Sequence, residues 1–184
     1  MRHILFFGDS LTAGYGLKSA GMESLPAIIQ QKIRTGGLAY KVTNAGLSGD
    51  TSAGGLKRLN YWLSEPVDVF VLELGVNDII RGVLPQTTLK NLQAIIDAVK
   101  SKYPEAKLTL MGMQIPAFLH SPSAKQFSAI FTTLAADNNM SLVPFFLEGV
   151  AGLKHLNLPD RIHPNAEGYK VIADKVWPVI EKLL

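Results

Sequence analysis

Short apolar runs recur along the chain, separated by segments in which polar and small residues predominate. Runs of this length that are rich in Val, Phe and Tyr are typical of buried strands, particularly where Gly and Pro punctuate the segments between them. We therefore predict five strands, at residues 3–7, 40–43, 67–74, 108–113 and 142–145.

Between the predicted strands, apolar residues recur every three or four positions, which is the spacing of a helix that buries one face. The clearest patterns are Leu25, Ile28, Ile29 and Ile33; Leu89, Leu92, Ile96, Val99 and Tyr103; and Phe127, Ile130, Phe131 and Leu134. Pro26, Pro85 and Pro164 lie where a first helical turn would begin. Gly36 and Gly37 lie where the first long helix would end.

The alternation of strands and helices continues from end to end, with no internal repeat and no Pro- or Ser-rich linker. We therefore predict one α/β domain over residues 1–184, with three layers in which helices cover both faces of a parallel sheet. Ligands of such folds bind outside the carboxyl ends of the strands, so the loops that leave the strands should carry the chemistry.

Composition narrows the class of protein. Of the 184 residues, 47% are hydrophobic and 18% charged, which excludes a disordered or fibrous chain. The absence of cysteine excludes a disulfide framework, a thiolate metal site and a cysteine nucleophile. The net charge of +3 comes from scattered Lys and Arg rather than a basic run, so nucleic acid is not an expected partner. Nothing in the composition fixes the oligomeric state.

No apolar stretch approaches the roughly 20 residues that span a bilayer, so we expect no stable membrane insertion. Met1 and Arg2 lead into a short apolar segment rather than into the pattern of a secretory leader. This start is compatible with a location in the cytoplasm. It is equally compatible with the periplasm or the exterior of the cell if a leader was removed.

The first strand leads into Gly-Asp-Ser-Leu at positions 8–11, followed by a glycine-rich turn. Ser10 in this position is a candidate nucleophile. It could equally cap a short helix, and the turn could cradle a phosphate through its backbone amides. Asp9 and the absence of a Gly-Lys-Ser/Thr sequence argue against the phosphate cradle.

The loops after the second and third strands offer hydrogen-bond donors. Residues 44–51 are small enough for the backbone around Gly49 to approach a ligand closely, or they form only a turn into a helix capped by Thr51 or Ser52. Asn77 carries a neutral carboxamide of the kind that stabilises an oxyanion, although an Asx turn explains it as well.

The loop before the last helix places Asp160 three positions before His163. An aspartate can accept a hydrogen bond from one imidazole nitrogen and leave the other free to take a proton from a hydroxyl. A metal site is not expected, because His3, His120 and His155 show no metal-ligand spacing with His163.

Each feature is weak alone, but all lie on loops that the fold would gather at one rim of the sheet. Together they supply a nucleophile (Ser10), a base (His163) and a residue that orients the base (Asp160). The amides of Ser10 and Gly49 and the side chain of Asn77 are the candidate oxyanion donors. This combination predicts acyl transfer without a cofactor.

The same residues carry a resemblance to the GDSL or SGNH hydrolase family, and within it to the small bacterial arylesterase, thioesterase and lysophospholipase group. Residues 8–11, Gly49, residues 75–78 and residues 160–163 look like the four blocks of that family, in order. The likeness to the subgroup extends to residues 48–52, 84–86 and 143–146. The resemblance implies that Ser10, Gly49, Asn77 and His163 are the four name-giving residues, with Asp160 as the acid.

The resemblance also implies a flavodoxin-like five-stranded sheet and an open acyl groove, without the lid of larger lipases. The walls of the groove would come from residues 76–81 and 114–119. The candidates to touch an acyl chain are Ile79, Ile80, Ile115, Pro116 and Phe118.

Our leading hypothesis is a serine hydrolase of short to medium acyl or aryl esters, with thioesters and lysophospholipids as further small-molecule substrates. A carbohydrate O-deacetylase of the same family is the alternative of similar chemistry. A non-catalytic flavodoxin-like module that binds a phosphate or a flavin is the alternative of another class.

Overall fold

The computed structural model describes residues 1–114 and 122–184, in which strands and helices alternate along the chain. The strands are β1 (Arg2–Gly8), β2 (Tyr40–Gly46), β3 (Val69–Glu73), β4 (Lys107–Met111) and β5 (Ser141–Val143). The helices are α1 (Ser10–Ala13), α2 (Ala20–Glu23), α3 (Leu25–Thr35), α4 (Ser52–Trp62), α5 (Val76–Ile80), α6 (Pro85–Lys102), α7 (Pro122–Asp137) and α8 (Ala166–Glu181). None of the helices in this part of the chain is long and apolar enough to cross a membrane.

All strand pairs are parallel, and the strand order is β2-β1-β3-β4-β5. This is the flavodoxin-like order. Because β2 lies on one side of β1 and β3 on the other, the strand order reverses at β1 and β3, and a crevice opens there at the carboxyl ends of the strands. Gly8 pairs with Gly46 on one side and with Glu73 on the other. The loops that follow β1, β2 and β3 therefore leave the sheet at the same level.

The core is centred on β1 and β3. Residues 4–7 and 69–72 are buried along their whole length, as expected of strands covered by helices on both faces. The predicted parallel α/β fold is thus confirmed.

Several strand ends differ from the prediction: β3 covers Val69–Glu73 rather than 67–74, and β4 covers Lys107–Met111 rather than 108–113. The ends of β2 and β5 differ as well. β2 continues to Gly46, because the polar and small residues that end it still pair with β1, although such residues rarely favour a strand. β5 stops at Val143, so the predicted extension to residue 145 is wrong. Pro144 follows, and proline has no N–H to donate to a neighbouring strand.

Most helix ends lie where the sequence placed them. Pro26 lies in the first turn of α3, Gly36 caps its end, and Pro85 opens α6. The prediction for Pro164 is wrong by two positions, because α8 begins at Ala166. Asn165 is its N-cap and accepts a hydrogen bond from the backbone N–H of Gly168 in the first turn.

Candidate active site

Ser10 is the first residue of α1, directly beyond the end of β1, and is 7% exposed. Asp9, not Ser10, caps this helix: its carboxylate accepts a hydrogen bond of 2.9 Å from the N–H of Leu11. The interpretation of Ser10 as a cap is therefore wrong, and its hydroxyl is available for another partner. Gly8 permits the tight turn, because a β-carbon there would overlap Thr12 and Glu73.

The partner of the Ser10 hydroxyl is the imidazole of His163. Nε2 of His163 lies 2.9 Å from Oγ of Ser10, and Nδ1 lies 2.7 Å from Oδ2 of Asp160. An ionised carboxylate can only accept, so Nδ1 carries the proton and Nε2 accepts from the hydroxyl. This is the arrangement that lets an imidazole take the proton of an attacking hydroxyl.

Local hydrogen bonds hold the loop that carries the pair. Oδ1 of Asp160 accepts from the backbone N–H groups of Ile162, at 2.9 Å, and His163, at 3.0 Å. Burial would raise the pKa of Asp160, but the hydrogen bonds from the His163 ring and from these two N–H groups hold it below its ordinary value. Asp160 is therefore ionised at neutral pH and keeps the imidazole oriented.

The side chain of Tyr15, in the loop after α1, packs against the imidazole of His163. The rings of Tyr15 and His163 lie 4.7 Å apart between centroids, tilted by 48°. Nothing in the sequence singles out Tyr15 apart from its place between Gly14 and Gly16. Both glycines have positive φ, which turns the loop back toward the site.

Gly49 and Asn77 lie on the same rim, and both line the cavity beside Ser10. Gly49 has a φ of +77°, and its carbonyl accepts a hydrogen bond of 2.6 Å from Arg81. Nδ2 of Asn77 donates to Oδ2 of Asp9 and to the backbone carbonyl of Asp50, each at 2.9 Å. Two acceptors therefore occupy both amide hydrogens of Asn77 in this structure.

Asp78 anchors the helix that carries Asn77. Its buried carboxylate accepts hydrogen bonds from the backbone N–H and the hydroxyl of Ser52 and from the hydroxyl of Thr88. Since Ser52 begins α4 and Thr88 belongs to α6, the short helix α5 is fixed between two longer ones.

Two buried acids lie beneath the rim. Oε2 of Glu73 accepts from the N–H of Asp9, at 3.2 Å, and from the hydroxyl of Thr12, at 2.7 Å. Burial, and then the negative charge of Asp9, raise the pKa of Glu73 well above its ordinary value. Burial also raises the pKa of Asp9 to about 6, against the hydrogen bond from Leu11, which lowers it. Glu73 thus stays protonated at neutral pH while Asp9 carries the charge.

A cavity of about 170 Å³ opens beside Ser10 and His163. Its apolar lining is formed by Leu11, Tyr15, Val76, Ile80 and Ile162. Among the predicted acyl contacts, Ile80 lines the cavity and is 65% exposed. Ile79 is not among the described lining residues; it is half-buried and packs against the hydrophobic core. Ile115, Pro116 and Phe118 lie outside the described residues.

Within residues 1–114 and 122–184, no three His, Asp or Glu side chains are grouped so that they could hold a metal ion. A larger groove of about 760 Å³ runs between α3 and α8. In the part of the chain that the structure describes, none of the residues that line this groove is a predicted site residue. The chemistry in the described part of the chain is therefore concentrated at the rim.

Comparisons with known proteins agree with this geometry. Residues 6–171 match the GDSL-like lipase/acylhydrolase family. The esterase TesA of Pseudomonas aeruginosa is 38% identical over 182 residues, which are 98% of this chain and 89% of that protein. The thioesterase 1/protease 1/lysophospholipase L1 of Escherichia coli K12 is also 38% identical, over 98% of this chain and 84% of its own. A crystal structure of TesA superposes with a TM-score of 0.92 at 36% identity and covers all of both chains.

Proposed function

The chain belongs to the GDSL-like lipase/acylhydrolase family and is a hydrolase of carboxylic esters, and we propose that it works through an acyl-enzyme on Ser10. The observation that carries the proposal is the continuous chain of hydrogen bonds from Ser10 through His163 to Asp160. It joins a nucleophile, a base and an ionised acid in the geometry that acyl transfer requires.

In the first step, Oγ of Ser10 attacks the ester carbonyl carbon while its proton moves to Nε2 of His163. The tetrahedral intermediate then expels the alcohol oxygen, which takes that proton from His163, and the acyl group stays on Ser10. A water molecule repeats the sequence: His163 takes a proton from the water, the new C–O bond forms, and Ser10 leaves with the proton. Asp160 holds the imidazolium that forms in each step.

The negative oxygen of the intermediate would be stabilised by the backbone N–H groups of Ser10 and Gly49 and by the carboxamide of Asn77. The N–H of Ser10 belongs to the first turn of α1, where backbone donors have no partner four residues earlier. Both amide hydrogens of Asn77 have acceptors before substrate enters. To stabilise the oxyanion, Asn77 therefore shares its hydrogen bond to Asp9 with the negative oxygen or redirects it to that oxygen.

The lining of the cavity supports an apolar acyl or aryl group of short to medium length. Acyl thioesters and lysophospholipids are further substrate classes, in line with the names of the relatives. The carbohydrate O-deacetylase alternative is not favoured, because five apolar side chains line the cavity and the relatives are esterases and thioesterases. The family also sets aside a non-catalytic flavodoxin-like module.

The test is covalent labelling combined with substitution. A fluorophosphonate should modify Ser10 alone, as located by peptide mass spectrometry, and Ser10→Ala should lose hydrolysis of a nitrophenyl butyrate while it keeps its thermal midpoint. Ser64→Ala, which changes an exposed serine, is the matched control and should keep full activity. Label on another serine, or activity retained by Ser10→Ala, would refute the assignment. A chain-length series of nitrophenyl esters, compared with acyl-CoA, lysophosphatidylcholine and acetylated sugars, then ranks the substrate classes.

A further inference from the structure

Arg58 of α4 reaches under the rim of the sheet and makes three charge-assisted contacts there. Its Nε donates to the carboxylate of Asp50 at 2.6 Å. One terminal nitrogen donates to the backbone carbonyl of Ala45, and the other to that of Gly8, each at 2.8 Å. The guanidinium also lies over the ring of Phe7, 4.1 Å from its centroid. Its side chain is 18% exposed and that of Asp50 is 7% exposed, so little water competes for these contacts.

The three hydrogen bonds of Arg58 connect it to the segments around the proposed oxyanion donors. Gly8 is two residues before Ser10, whose N–H is the first donor. Ala45 and Asp50 bracket the turn that presents the N–H of Gly49.

The third donor depends on the same ion pair. The backbone carbonyl of Asp50, whose side chain Arg58 holds, accepts one amide hydrogen of Asn77. Arg58 is therefore bonded directly to the segments that supply the first two donors and is linked to the third, Asn77, through Asp50. It is not among the described residues that line the cavity.

We propose that Arg58 is a positioning residue that sets the relative placement of the three oxyanion donors. The proposal rests on the proposed function of Ser10. A planar guanidinium can direct N–H groups at three acceptors at once, whereas the ammonium of lysine is a single point on a flexible stem. The donors act on charge that develops in the transition state, so a shift in their positions changes turnover more than ground-state binding.

The experiment compares Arg58→Lys, Asp50→Asn and the double variant with the wild type. We expect each single variant to lower kcat by about 10- to 100-fold, since misplacement by about 1 Å can cost 10²-fold, while KM for a nitrophenyl ester changes less than threefold. The affinity for an alkyl boronic acid, which forms a tetrahedral anion on serine, should fall by the same factor as kcat/KM. The double variant should be little worse than either single one, because both break the same link.

Arg34→Lys is the matched control, because Arg34 lies exposed in the last turn of α3 and the substitution is the same. It should leave kcat and boronate affinity unchanged. Thermal melts of every variant separate loss of fold from loss of placement.

The proposal is overturned if Arg58→Lys lowers only the thermal midpoint and keeps kcat and boronate affinity within twofold. It is also overturned if kcat losses in Arg58→Lys and Asp50→Asn multiply in the double variant. Failure of the proposed function looks different: the wild type itself would then not be labelled at Ser10 by a fluorophosphonate. If the positioning alone fails, the wild type and Arg58→Lys are labelled at Ser10 at equal rates.

Discussion

Oγ of Ser10 lies 2.9 Å from Nε2 of His163, although 153 positions separate the two residues in the chain. Ser10 comes after the interior strand β1, and His163 lies on the long loop after the edge strand β5. The contact forms only when the whole strand order is in place. Hydrolysis therefore reports on the integrity of the entire fold as well as on the chemistry of one residue.

Asp160→Asn should lower turnover by about 10³- to 10⁴-fold, because the amide no longer enforces the tautomer in which Nε2 accepts. The wild type should gain activity from mildly acidic to neutral pH, because a general base accepts a proton only in its neutral form. The lowered pKa of Asp160 keeps it ionised over that whole range. The measurement is turnover of one soluble ester against pH, and full recovery of the variant at high pH would remove Asp160 from the mechanism.

Asn77→Ala should lower turnover by on the order of 10²- to 10³-fold, the usual loss for one oxyanion donor. The substitution also removes the donor to the buried Asp9 carboxylate and to the Asp50 carbonyl, so the thermal midpoint should fall as well, and kcat is compared at a temperature where the variant is folded. Steady-state kinetics give kcat and KM separately. A rise in KM with kcat unchanged would assign Asn77 to ground-state binding instead.

Glu73→Gln should flatten the pH dependence of stability. An acid whose pKa is raised in the folded state binds its proton more tightly there, so its stabilising contribution is full at low pH and is lost as the pH rises. For Asp9 this loss extends from the ordinary value of 3.8 to about 6, and for Glu73 it extends further upward. Glutamine keeps an acceptor for Thr12 and for the N–H of Asp9 but brings no second acid beside Asp9.

The measurement is urea unfolding at pH 4.5, 6 and 8, with Glu105→Gln, an exposed acid, as the control. The wild type and the control should lose more of their free energy of unfolding between pH 4.5 and pH 8 than Glu73→Gln does. Equal slopes in all three proteins would show that the buried pair does not govern the dependence.

Ile80→Ala and Ile79→Ala form a matched pair on one short helix. Ile80 lines the cavity and is exposed, so its truncation should lower kcat/KM for a butyrate ester about fivefold, from about 1 kcal/mol of lost apolar contact, at unchanged stability. Ile79 packs on the core, so its truncation should lower the free energy of unfolding instead. If Ile79→Ala lowered kcat/KM and Ile80→Ala lowered the free energy of unfolding, Ile79 would be the substrate contact and Ile80 the core residue.

The sequence was sufficient to predict the parallel fold, because apolar runs such as residues 69–72 lie between segments with helical spacing. It also brought Ser10, Asn77 and His163 to one rim, since the carboxyl ends of parallel strands share an edge. It did not separate Ile79 from Ile80, because neighbours on a helix point about 100° apart and the orientation of α5 depends on the burial of Asp78.

Two residues gave no signal in the sequence. Arg58 stands in a helix whose other charged residue is exposed, and a basic residue there is usually a solvated one. Tyr15 stands in a turn, where an aromatic ring has no periodic pattern to predict its partner. Both roles depend on contacts between segments that are distant in the sequence.

The pairing of Gly8 with Gly46 and Glu73 makes the two ends of the sheet respond differently to inserted residues. Insertions near the carboxyl ends of the strands disturb the site, whereas insertions at their amino ends do not. A residue inserted within β2 would shift its pairing with β1 and send each following side chain to the opposite face, so the turn around Gly49 would no longer face Ser10. An insertion near Gly37, where α3 returns to the other end of β2, adds length outside the sheet and leaves this register intact. Natural variation in loop length and engineered insertions should therefore be accepted at the amino ends of the strands and rejected between the strand ends and the rim.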